Sequence, residues 1–149
     1  MTNSDSEQTG ETHEKWEPID GVSTPAASAS VAEDQEGLIV TLLFSQIVDA
    51  GDSDLRIEFG RVEAYTVYEE FLHPWKPFEP GPTLAGRWSD CFYPLLQVKN
   101  SAWMASLTNL SVIYPDCIHY RLLTLDQIVD VLCSETPKVT WVRVSDEDH

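Results

Sequence analysis

The stretch Cys117-Ile118-His119-Tyr120-Arg121-Leu122-Leu123-Thr124-Leu125-Asp126-Gln127-Ile128-Val129-Asp130-Val131-Leu132-Cys133 decides how the chain is read. Its first seven residues alternate. Ile118, Tyr120 and Leu122 fall on one face and Cys117, His119, Arg121 and Leu123 on the other, the period of two that marks a strand. Thr124 then suits a helix N-cap, with Gln127 three residues on to reach back to it and Asp126 near the positive end of the helix dipole. Leu125, Ile128, Val129 and Leu132 recur at i, i+3, i+4 and i+7, which predicts one apolar stripe with Asp126, Gln127 and Asp130 turned away from it. The pattern therefore predicts a strand followed by a short helix over 125–133. Pro137 closes it, because the residue before a proline disfavours the helical region. So short a helix is marginal alone and is expected to dock on the sheet that contains the strand.

Downstream, Lys138 to Val144 is a β-branched and aromatic run and reads as a final strand. Upstream, Cys91 to Lys99 is apolar-rich, with Pro94 restricted to a strand's start or edge. Asn100-Ser101 is a turn or a helix cap. Ala102 to Leu107 reads as a helical turn or a strand, the alternation of Trp103, Ala105 and Leu107 favouring the strand, and Leu110 to Tyr114 reads as loop or a short edge strand. Leu38 to Val48 is apolar on both faces in its first half, as a covered strand would be. Asp54 to Phe59 alternates cleanly, with Leu55, Ile57 and Phe59 inward. Gly60 marks a bulge or bend, and Arg61 to Glu69 continues in strand style, either as one bent strand with its predecessor or as a second one. Runs of strands with one late helix indicate an α+β fold: a mostly antiparallel sheet of about five to seven strands with the helix 125–133 packed on one face.

Charge divides the chain. It has 149 residues and a formal net charge of −16. Residues 1–37 carry net −8, residues 38–145 net −5, and Asp146, Glu147 and Asp148 a further −3. The first segment is rich in Ser, Thr, Glu, Asp and Ala, with only Trp16, Ile19, Val22 and Val31 as bulky apolar residues, so its composition predicts disorder. Trp16, within Glu14 to Ile19, is the one aromatic there suited to docking on a partner or on the domain. The expected organisation is a disordered acidic tail over 1–37, a single domain over 38–145 and an acidic disordered end at 146–149.

The acid excess and the absence of any Lys/Arg run argue against nucleic acid, whose backbone needs a basic patch, and against an anionic membrane surface. A basic protein partner fits the charge. The longest apolar run, Leu38 to Phe44, is far too short to span a bilayer. The N-terminus has neither the basic lead nor the apolar core of a secretory signal. Cys91, Cys117 and Cys133 are odd in number and widely spaced, with no Cys-x-x-Cys. A reduced, cytoplasmic protein is expected.

No catalytic, cofactor-binding or metal-ligating set emerges. The chain contains no Gly-x-Ser-x-Gly, P-loop, Gly-x-Gly-x-x-Gly or His-Glu-x-x-His. Glu70 and His73 have the i, i+3 spacing of carboxylate-bridged metal sites, but such sites need the motif twice. Cys117 and His119 share a strand face about 7 Å apart, by the roughly 3.3 Å rise per residue, too far for direct proton transfer. Glu58 and Glu63 are a conceivable acid–base pair across the bend, though solvated surface charges explain them more simply. His119 and Arg121 are the only residues of 117–133 that folding alone does not account for.

Residues 73–90 are different. Pro74, Pro77, Pro80 and Pro82 exclude a regular helix or an interior strand, and long loops in compact domains are often functional. Trp75, Phe78 and Trp88 in this loop either fold back to cap the sheet, as large aromatics more often do, or, if exposed, form with His119 and Arg121 the candidate interaction surface. The expected function is that of a non-enzymatic protein-interaction domain with a basic partner, in the manner of an immunity or inhibitor protein that neutralises a toxin. Two other classes are kept: a small-molecule-binding domain built on the aromatic loop, and an enzyme with no recognisable motif.

Overall fold

The computed structural model describes residues 11–22, 25–46, 52–69 and 93–144. Among them nine strands form two antiparallel sheets: β1 (Thr12–Lys15), β2 (Ala29–Asp34), β3 (Gly37–Leu42), β4 (Ser53–Gly60), β5 (Ala64–Glu69), β6 (Leu95–Lys99), β7 (Ile118–Leu123), β8 (Gln127–Cys133) and β9 (Lys138–Arg143). One sheet runs β1-β6-β7-β8-β5 and the other β2-β3-β4-β9. Alternation supplies the core. Leu38, Val40 and Leu42 of β3 and Leu55, Ile57 and Phe59 of β4 meet Leu95, Tyr120, Leu122, Val129, Val131 and Cys133 of the five-stranded sheet in one buried cluster. This is the two-layer packing of antiparallel sheets with apolar inner faces.

The predicted helix over 125–133 does not form; residues 127–133 are β8. Thr124 makes a contact of the predicted kind, its hydroxyl accepting the Gln127 N–H at 2.8 Å. Its own N–H, however, donates to the Gln127 carbonyl at 2.9 Å, which closes a two-residue hairpin turn at Leu125-Asp126. Leu125, assigned to the buried stripe, is 53% exposed. The local signal was ambiguous because β8 is buried on both faces, so no polar alternation marks it: Ile128, Asp130 and Leu132 lie on one side and Val129, Val131 and Cys133 on the other. Pairing with β5 and β7 on either side and the β-branched residues Ile128, Val129 and Val131 favour the strand.

The helices lie elsewhere. Ala102–Ser106 is α1, not a strand, because the Ser101 side chain caps it by accepting the Met104 N–H. Leu110–Ile113 is α2, with a 3₁₀ turn at Phe44–Gln46. Both α-helices among the described residues are a turn or so long, so these residues form two antiparallel sheets with minor helical content. They hold more strands than the five to seven expected. Part of the excess comes from β8. Another part comes from Gly60, whose φ of +73° ends β4 before β5 begins in the other sheet, which makes 61–69 a separate segment.

The remainder comes from the stretch 1–37, where composition predicted disorder. β1 adds to the edge of β6 and β2 pairs along the whole of β3. Between them Trp16 packs at ring-centroid distances of 4.6 Å from Tyr120 and 6.4 Å from Phe59, and Ile19 and Val22 also pack on the core. The Asp20 carbonyl accepts the Trp141 indole N–H at 2.9 Å, and Ala26 bridges to Thr124 beside the β7–β8 turn. The ordered chain therefore starts well before Gly37. A segment with few apolar residues orders here because two sheet edges satisfy its backbone and the core receives its few bulky side chains. Residues 1–10 and 145–149 lie outside the described residues.

Candidate functional site

The outer face of the five-stranded sheet, away from the core between the layers, holds a buried polar cluster. Alternation along β7 turns His119 and Arg121 to this face while Tyr120 and Leu122 enter the core. Arg121 lies directly opposite Asp130 of β8, and His13 of β1 lies in the same cross-strand row as His119, one strand removed. Asn100, at a φ of 56°, turns the chain out of β6 and delivers Ser101 to the N-cap of α1. Left-handed backbone is tolerated by asparagine.

The geometry is tight. His119 Nε2 lies 2.6 Å from Asp130 Oδ1 and His119 Nδ1 lies 2.6 Å from Ser101 Oγ. Arg121 Nε donates to the same Asp130 oxygen at 2.8 Å, and Arg121 Nη1 lies 2.7 Å from His13 Nε2. Glu11 completes the rim. One of its oxygens is 3.9 Å from Arg121 Nη1 and the other accepts the Ala102 N–H at 2.9 Å. An ionised carboxylate only accepts, so His119 Nε2 carries a hydrogen. A guanidinium only donates, so His13 Nε2 presents its lone pair to Arg121.

Serine, histidine and aspartate in hydrogen-bonded sequence resemble a nucleophile, base and orienting acid. Nucleophilic catalysis further requires donors for a developing oxyanion and space for a reacting atom. Here the Ser101 hydroxyl already accepts the Met104 N–H at 3.1 Å, and the Glu11 carboxylate occupies the neighbouring Ala102 N–H. Ser101 is 7% exposed and His119 1%. Arg121 compensates the charge that would stabilise an imidazolium. The arrangement acts as a buried tie that links β1, β7, β8 and the start of α1.

Two of the five residues expected to form an interaction surface, His119 and Arg121, are thus interior, with Arg121 4% exposed. Burial follows from α1, whose Trp103 ring meets the His119 ring edge-on at 5.3 Å, and from the β1 side chains that close over Arg121. The other three, Trp75, Phe78 and Trp88, lie outside the described residues, as do Cys91 and the Glu70–His73 pair. Asp130, expected on the solvent side of a helix, is the centre of the cluster. A lone charged residue within the apolar run 128–133 was the signal that pointed to it. Ser101, His13 and Glu11 offered none, because their roles depend on partners far away in sequence.

A second polar group lies near the other end of β7. Glu63 Oε1 accepts from the Cys117 thiol, at 3.6 Å, and from the Ser134 hydroxyl, at 3.1 Å. Burial, reinforced by the Glu63 carboxylate, pushes the Cys117 thiol up from 9.0 to about 11, and burial raises Cys133 as well. Both are held as thiols, not as the thiolates that nucleophilic chemistry uses. Glu58 has its own partner, Arg56, at 3.5 Å. A thiol whose proton is held more tightly in the folded state stabilises the fold fully below its unfolded value and loses that contribution as pH rises towards the folded one. The urea midpoint is expected to stay level up to about pH 8.5 and to fall from there towards pH 11. The fall should be smaller in Cys117→Ala; an equal fall in both proteins would remove Cys117 as a cause.

Among the described residues no group of three His, Cys, Asp or Glu side chains is placed to hold a metal ion, and no helix is long and apolar enough to cross a membrane. No protein-family model, curated protein or solved structure matches the chain.

Proposed function

We propose that this chain is a non-enzymatic, cytoplasmic protein-interaction domain whose partner is a basic protein, of the kind that an inhibitor or immunity protein neutralises. The observation that carries this reading is a run of apolar residues at the surface. Val112, Ile113 and the following Tyr114 are 78%, 61% and 43% exposed. Leu110 anchors α2 on Leu132 and Cys117, which leaves the rest of this one-turn helix facing outward. Single exposed apolar residues are ordinary, and three in succession support reading this run as a contact surface. Asp116 beside them is exposed, and the net charge of −16 steers a basic partner towards the molecule. The Ser101–His119–Asp130 set, the best arrangement for catalysis among the described residues, is closed off as described above.

The test uses the full chain, immobilised, to retain proteins from an extract of its source cells. The retained partner is then purified and titrated. A basic partner is expected, with affinity falling at least tenfold between 50 and 300 mM salt. Ile113→Asp should weaken binding by a further tenfold or more while leaving the melting temperature within about 2 °C, as surface substitutions do. An acidic partner, or binding indifferent to both salt and Ile113→Asp, overturns the proposal.

A further inference from the structure

We propose that His13 makes the docking of β1 acid-labile: a proton on its imidazole turns the Arg121 contact from a hydrogen bond into a clash of two cations and frees residues 11–15 from the edge of β6. The inference does not depend on the function proposed above. Its basis is the 2.7 Å separation of Arg121 Nη1 and His13 Nε2. Arginine stays protonated throughout the accessible pH range, so the hydrogen bond exists only while His13 Nε2 is bare. The lone pair that accepts from Arg121 is the same one a proton would occupy.

The charged and titratable groups around this contact, among the described residues, come from every neighbouring element. β7 contributes Arg121 and His119. β8 contributes Asp130, whose Oδ1 is already shared by His119 Nε2 and Arg121 Nε. β6 places Val98 directly beside His13 and Lys99 against Glu14 at 3.8 Å. The segment before α1 contributes Ser101, and β1's own approach contributes Glu11, held 3.9 Å from Arg121 Nη1. The two imidazoles differ in what they tolerate. His119 takes a second proton in place, with Nε2–H towards Asp130 and Nδ1–H towards the Ser101 oxygen. His13 does not, because its proton points at the guanidinium. Acid thus leaves the β7–β8 part of the cluster intact and loosens the β1 part. Strand β1 is poised for release: it is four residues long, lies at a sheet edge and has three of its four residues exposed. Its departure uncovers the backbone edge of β6, which another extended segment can pair with.

Hydrogen exchange of the full chain at pH 7.5 and 5.5, corrected for the intrinsic exchange rates, reads this directly. Imidazoles titrate near pH 6.5 and carboxylates near 4, by about two units, so this interval isolates the histidines. The amides of residues 12–15 that bond to β6 are expected to lose about five- to tenfold in protection at pH 5.5, tenfold being the limit for one imidazole that titrates near 6.5, while those of β7 and β8 do not. In His13→Gln the loss should shrink to under threefold, because the glutamine oxygen accepts from Arg121 at either pH. Unchanged protection in the natural protein, or an equal loss in His13→Gln, overturns the proposal. Should His13→Gln be unprotected already at pH 7.5, NMR titration of the natural protein decides. Strand release that follows the His13 ring resonances supports the proposal, and release that follows only the carboxylates sinks it.

Discussion

Replacing Asp130 by alanine is expected to lower the unfolding free energy by about 3–5 kcal/mol, the usual penalty for removing one partner of a buried ion pair. Asp130 is 3% exposed, and one of its oxygens serves both Arg121 Nε at 2.8 Å and His119 Nε2 at 2.6 Å. Without it the guanidinium remains interior, with Glu11 at 3.9 Å as its nearest carboxylate among the described residues. Removal of the carboxylate that sits nearest the buried guanidinium sets the magnitude. Urea denaturation at pH 7.5 measures it, and a loss under about 1 kcal/mol would show that water reaches the cluster. The companion variant distinguishes specificity from stability. His119, Arg121 and Asp130 all replaced by leucine should lie within about 2 kcal/mol of the natural protein or above it, since apolar side chains of similar volume often match a buried ion pair. Against a total stability of roughly 5–15 kcal/mol for a domain, the single substitution threatens folding and the triple one does not.

Trp16→Ala should cost about 2–4 kcal/mol. A fully buried tryptophan loses about 3–5 kcal/mol on truncation to alanine, and Trp16 is only partly buried, which reduces the figure. Its ring contacts Tyr120 and Phe59 in the inter-sheet core, and its backbone N–H donates to the Leu95 carbonyl at 2.9 Å. A tryptophan in a disordered tail would change stability by less than about 0.5 kcal/mol, so thermal or urea unfolding separates the two descriptions of the N-terminal segment cleanly. Trp16→Phe should recover more than half of the loss, because the aromatic packing survives. Equal loss in both variants would assign the effect to something other than the ring.

Pattern reading worked best for strands that bury one face. β4 alternates buried Leu55, Ile57 and Phe59 with half-exposed Arg56 and Glu58, and the same alternation was legible in the sequence. β7 is buried on both faces but was legible because His119 and Arg121 keep a polar period of two, and β9 because its run is β-branched and aromatic. The reading failed for β8, whose run from Ile128 to Cys133 is apolar except for Asp130 and fits a period of 3.6 as readily as one of two. It failed also for α1 and α2, whose few residues are decided by a single cap and a docking side chain. The two residues it left over for an interaction surface, His119 and Arg121, are buried polar residues. Their surroundings were not inferable: Arg121 meets His13 across 108 positions of sequence, and Ser101 meets His119 across 18.

By itself the amino-acid sequence determined that most of the described residues belong to antiparallel strands, that Leu55, Ile57 and Phe59 face a core, that Tyr120 and Leu122 share one strand face, and that the chain is acidic. These are local properties, set by side-chain period and by charge. Only the tertiary structure decided that 117–133 is a hairpin rather than a strand and helix, and that the polar residues of its outer face are interior. It also decided that an acid-rich N-terminal segment belongs to the fold. The physical reason is common to all three. A free sheet edge, a covering helix and an unfilled place in the core are supplied by residues distant in sequence, and they outweigh the intrinsic preference of the stretch that meets them.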